Sequence, residues 1–287
     1  MRETSRKFRY SYNVIGFGGE DVALSIDRLA RLGYDAVEVE GEPERHDAIR
    51  IRKLAEDAGL TVDSVCPNFT EGRDLSHPDP GIRSDALAYL RDVSEFAAGV
   101  GAPLFIVAPT AYARVTPIAD PLDEWLWAVE GIRLAGDHAS SLGLDLTLEC
   151  WNRYGTYMLN RLEEGARMWR ETGLLNGGVM ADTFHMNIEE PSISGSILAH
   201  GDLLNHVHLS DSNRLAPGLG HVDFAEVLQT LVEVGYGGSL AFELIPSLPN
   251  VPEGEPQPPS FDEVAGQALD HMKEVERLLA AARLEHG

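Results

Sequence analysis

Short runs rich in apolar and β-branched residues recur along this chain. They lie near Phe8 to Tyr12, Ala36 to Val39, Thr61 to Val65, Pro103 to Val107, Asp145 to Glu149, Gly178 to Asp182, Leu204 to His208 and Ser239 to Glu243. Each has the length and near-continuous hydrophobicity of a strand buried on both faces. Between them, segments such as DVALSIDRLARLG, HDAIRIRKLAEDAG, SDALAYLRDVSEFAAGVG, VDFAEVLQTLVEVG and FDEVAGQALDHMKEVERLLAAARL place apolar residues at helical spacing. Gly33, Gly59, Gly101, Gly143 and Gly235 stand where helices should end, and a left-handed cap there would turn the chain into the next strand. Strand and helix in alternation predict a parallel sheet, and eight such units predict a single (β/α)8 TIM barrel over residues 1–287, an α/β fold. An open doubly wound sheet competes, but no GxGxxG follows the first strand. Residues 1–7 are expected to be flexible, and the proline-rich segment 246–260 to form an extended loop over the active face.

Composition narrows the chemistry. Asp and Glu outnumber Lys and Arg by 46 to 23, for a formal charge of −23, which repels nucleic acid and acidic membrane surfaces. No stretch is long and apolar enough to span a bilayer, and MRETSRKFRYSYN lacks the apolar core of a secretory signal, so a cytoplasmic location is expected. Cys66 and Cys150 form neither a CxxC pair nor a disulfide framework, in keeping with a reducing compartment.

Four potential metal ligands stand out: Glu149, Asp182, His208 and Glu243, at the ends of DLTLE, GGVMAD, LLNHVH and SLAFE. A parallel barrel brings all four ends to one mouth. Each has an ordinary structural role available: Glu149 and Glu243 as buried ion-pair partners, Asp182 as a helix cap, His208 as a hydrogen-bonded core residue. Their occurrence at the ends of four successive late strands is what points beyond those roles. Three carboxylates and one imidazole suit one hard divalent ion, Mn²⁺ foremost, with Mg²⁺ and Co²⁺ accepted by the same donors.

The segments ECWNRYGTYMLN (149–160), MADTFHMNIEE (180–190), HVHLSDSNRLAPGLGHVDF (206–224) and AFELIP (241–246) resemble the sugar isomerases and epimerases with xylose-isomerase-like barrels, most closely their ketose 3-epimerase branch. Their ligands are 33, 26 and 35 residues apart, like those of that family. The resemblance implies a metal-dependent epimerase or isomerase acting on a ketose or keto-sugar through a cis-enediolate. In it Glu149, Asp182, His208 and Glu243 hold the metal, and Glu149 and Glu243 are also the acid–base pair. It further implies substrate contacts at His185, Arg214 and Cys66, and a homodimer or homotetramer. One departure is Gly155, where these epimerases commonly carry a glutamate that contacts substrate; its absence suggests room for a larger or differently substituted sugar. Trp151 adds bulk nearby. A keto-glycoside lyase working with a small partner subunit is the alternative reading, and an abasic-site endonuclease a more distant one. Gly218 and Gly220 fall where barrels often bind phosphate, but no second basic residue lies near Arg214 before the eighth strand, so an unphosphorylated substrate is expected.

Overall fold

The computed structural model describes residues 8–245 and 259–286; the expectations for 1–7 and for most of 246–260 fall outside the described residues. All eight predicted strands are present, as β1 (Arg9–Tyr12), β2 (Ala36–Glu40), β3 (Thr61–Cys66), β4 (Leu104–Val107), β5 (Asp145–Leu148), β6 (Gly177–Asp182), β7 (Leu204–Leu209) and β8 (Ser239–Phe242). They pair in parallel in the order β1-β8-β7-β6-β5-β4-β3-β2, a nearly closed TIM barrel. Between β1 and β2 the ring is completed by one bridge, Asn13 to Glu38. The β3–β4 join is also narrow, with Val65 opposite Phe105 as its register pair.

The intervening helices are α1 (Val22–Leu32), α2 (Ala48–Ala58), α3 (Pro80–Val100), α4 (Pro121–Ser141), α5 (Leu162–Thr172), α6 (Thr183–Glu189), α7 (Ile193–His200), α8 (Phe224–Glu233) and α9 (Phe261–His286). Part of the acidic excess has a local purpose. Asp21, Asp47, Asp79, Asp120 and Asp223 are N-caps whose carboxylates accept first-turn N–H groups, and such a cap contributes about 1 kcal/mol. The five glycines expected at helix ends all have positive φ, from 73° to 84°. Two helices rather than one follow β6, because Glu190 is extended and Ser192 starts a new cap.

The layer between sheet and helices is apolar, but the barrel axis is not. Ser11 donates to Asp63 across 2.8 Å, Ser64 donates to Glu38 across 2.6 Å, and Glu38 reaches over the axis to His206 and His208 of β7. All six side chains are buried. Barrel interiors are ordinarily filled by branched apolar residues. Here a polar column runs up to the mouth.

Candidate active site

Parallel pairing fixes the heights of the strand ends. Asp182 lies opposite His208 in the β6–β7 ladder, while Glu149 and Glu243 directly follow β5 and β8. Ligand atoms of Glu149, Asp182, His208 and Glu243 all lie within 4.8 Å of one another. Glu149, Asp182 and His208 are buried, and Glu243 is half-buried at the opening. The four residues predicted from strand-end positions therefore form one cluster.

The structural and chemical roles coexist in Asp182. Its Oδ1 caps α6, accepting from Phe184 N at 2.8 Å, while Oδ2 lies 3.8 Å from both His185 Nε2 and His208 Nδ1. His208 turns Nδ1 toward the carboxylates, 3.0 Å from Glu243 Oε2, and Nε2 toward Glu38 at 2.9 Å. His185 Nδ1 accepts from the backbone N–H of Asn152 at 3.0 Å and lies 2.9 Å from the Asn152 side-chain nitrogen. A neutral His185 must then carry its proton on Nε2, which faces Glu149 and Asp182. Arg214 binds both oxygens of Asp182 through Nη1 (2.6 and 2.7 Å) and Glu243 through Nη2. Its guanidinium lies 4.8 Å from the centre of the Phe184 ring.

Electrostatics separates the groups. Burial lifts the Glu149 carboxyl to about 7, with His208 opposing and the Asp182 charge adding to the rise. Burial acts on Asp182 in the same sense, but Arg214, His185 and His208 outweigh it and hold that carboxyl far below the usual range. For His208 burial favours the neutral ring, yet the charge of Glu38 and hydrogen bonds to Asp182 and Glu38 raise it to about 10. Burial pushes His185 down to about 4. One imidazole is thus held charged and the other neutral at pH 7.

The αL backbone of Arg214 (φ 62°) is set by the loop that carries it. Asp211 accepts from Ser212 N, Gly218 N and Val222 N. At Gly218 (φ 90°) a Cβ would stand 2.6 Å from the His271 ring, and at Gly220 one would stand 2.2 Å from the Asp211 carboxylate. Those glycines let the backbone wrap Asp211. The N–H groups of Gly218 and Val222 are thereby engaged within the protein, which removes the argument for a phosphate cradle.

Cys66 is buried and packs with Ile106 and Met180, flanked by Ile15, as a small apolar patch inside the barrel. Gly155 sits close against two aromatic residues. A Cβ there would lie 3.1 Å from both Trp151 Cβ and Tyr112 Cε2, because the Trp151 ring packs against Tyr112 (5.4 Å between centroids) and Phe69 (6.1 Å). A side chain at Gly155 would therefore need Trp151 or Tyr112 to shift by a few tenths of an ångström. The sequence reading missed Glu38, His206 and Asn152. The alternation E-V-E in β2 and H-V-H in β7 was the available signal, since residues two apart share a face.

A family model described as xylose isomerase-like TIM barrel matches residues 26–275. The chain is similar to the D-psicose 3-epimerase of Ruminiclostridium cellulolyticum, 34% identical over 232 residues that cover 78% of each protein. It is also similar to the 3-dehydro-D-guloside 4-epimerase of Escherichia coli, 27% identical over 241 residues, 79% of this chain and 88% of that one. Among solved structures, the D-psicose 3-epimerase with D-tagatose from Clostridium cellulolyticum H10 matches with a TM-score of 0.84 at 28% identity, over 93% of this chain and 99% of the other.

Proposed function

Because this chain belongs to the xylose isomerase-like TIM barrel family, we propose that it inverts the carbon beside the carbonyl of a ketose or keto-sugar derivative, C3 of a 2-ketose, with a divalent ion at its centre. The chain is a carbohydrate epimerase or isomerase, as its relatives are. The convergence of Glu149, Asp182, His208 and Glu243 within 4.8 Å carries the finer reading. The donor set fits such an ion: it offers hard oxygen and imidazole atoms, and three carboxylates this close need more positive charge than Arg214 and one imidazolium supply. Held by these four residues, a divalent cation would act as a Lewis acid, stabilising negative charge on the substrate oxygens as the neighbouring proton leaves.

The remaining work belongs to the side chains. Glu149 and Glu243 enter the mouth from β5 and β8. One takes the proton to give a cis-enediolate, and the other returns a proton to the opposite face; a lone base would return it to the face it came from. The neutral His185 directs its Nε2–H at a substrate oxygen. Arg214 offers a positive charge where the enediolate forms. Neither residue need change protonation during turnover.

The deciding experiment is proton NMR in D₂O with Mn²⁺-supplemented protein and free ketohexoses or ketopentoses. Metal-dependent deuterium entry at C3 together with a C3 epimer is expected; retention of the C3 proton in all of them would overturn the reading for free ketoses. Replacing Glu243 by Gln should slow exchange by about 10²–10⁴-fold, the usual contribution of a positioned acid–base group. Wild-type exchange in that variant would remove Glu243 from the acid–base pair.

A further inference from the structure

Three donors converge on the buried carboxylate of Glu38. Ser64 Oγ donates to Oε2 at 2.6 Å, His206 Nε2 lies 2.8 Å from Oε2, and His208 Nε2 lies 2.9 and 3.1 Å from the two oxygens. A carboxylate is acceptor-only, so each imidazole must bring a proton on Nε2. For His208 the consequence reaches the active site. With one proton fixed on Nε2, Nδ1 is the nitrogen that can release its proton to an incoming cation and present a lone pair to the cluster of Glu149, Asp182 and Glu243, all within 4.0 Å of it. The opposite tautomer would aim an N–H at that cluster and could not bind a cation.

We propose that Glu38 is the positioning residue for the metal centre, fixing the tautomer and ring orientation of His208 from across the barrel axis. The inference rests on the divalent-ion reading above. Glu38 touches neither the substrate nor the ion; it acts through His208, as carboxylates behind metal-binding imidazoles do. His206 completes the arrangement by occupying the outer lone pair of Glu38. It does not supply a second ion site, because Nε2 of both imidazoles and both oxygens of Glu38 are already committed to each other.

Glu38→Gln is the informative change. Glutamine keeps one acceptor oxygen and replaces the other with an NH₂, so three donors compete for one oxygen and one imidazole must take the Nδ1–H form. Calorimetric titration with Mn²⁺ is expected to show one ion per wild-type chain and about 10–100-fold weaker binding in Glu38→Gln. Glu38→Asp, which keeps an acceptor-only group at shorter reach, is expected to recover part of the loss. Equal Mn²⁺ affinity in wild type and Glu38→Gln would overturn the role of Glu38 while leaving the metal reading intact. Two ions per wild-type chain would overturn the exclusion of a second site, and no ion would overturn the metal reading itself. Should Glu38→Gln fail to fold, ¹⁵N–¹H correlation across the histidine rings of Mg²⁺-loaded wild type decides: a proton on Nε2 of His208 is expected, and one on Nδ1 would overturn the proposal.

Discussion

At the scale of single residues, the site is an arrangement of protons as much as of charges. Without a bound cation, burial pushes the Glu149 carboxyl up towards neutrality, and Glu38 raises His208 to about 10 against the pull of burial. Metal binding must displace both protons. Apparent Mn²⁺ affinity is therefore expected to rise from pH 6 to pH 8, because fewer protons remain on Glu149 to be expelled, and the His208 proton should be released throughout that range. Calorimetry in buffers of different ionisation enthalpy measures the proton count directly; a count of zero at pH 6.5 would contradict the assignment. The four clustered strand-end residues were legible in sequence because each is a charged or ionisable residue closing an apolar run. Glu38 and His206 were not singled out, since both faces of these strands are buried and the alternation alone does not say which face meets the axis.

At the scale of elements, the loops on the mouth are clasped together by one arginine. Arg114, in the β4–α4 connection, binds Asp74 of the β3–α3 connection (2.6 and 3.1 Å) and Glu124 of α4 (2.6 Å). Tyr157 of the β5–α5 connection donates to the same Glu124. Asp74 and Glu124 are fully buried. Removing their shared cation leaves uncompensated carboxylates, so Arg114→Met is expected to destabilise the protein by about 3–5 kcal/mol. Urea unfolding would measure it, and a loss below about 1 kcal/mol would show the clasp to be dispensable. Strand positions and helix ends could be read ahead because period, length and caps are local properties. The clasp could not, because it joins residues 40 positions apart through loops with no periodicity.

At the scale of the whole molecule, three carboxylates gathered at one end of the barrel link stability to cation binding under the proposed function. Binding restricted to the folded state stabilises it by about 2.7 kcal/mol when the free ion is at 100 times Kd. The melting temperature is thus expected to fall on treatment with EDTA and to climb again with Mn²⁺ in a concentration-dependent way; a melting temperature indifferent to both would separate the cluster from metal binding. No helix among the described residues is long and apolar enough to cross a membrane.

The two narrow joins of the ring give the barrel an uneven wall. Strands β2 and β3 pair extensively with each other, yet the ladder joining them to their neighbours is a single bridge at β1 and a single register pair at β4. They form a panel joined to its neighbours through few ladder bonds. What braces that panel from inside is the span from Glu38 to His206 and His208 on the far wall, with Ser11 tied to Asp63 below it. The polar column is therefore a strut: the same bonds that aim an imidazole at the mouth also set how far apart two sides of the barrel stand.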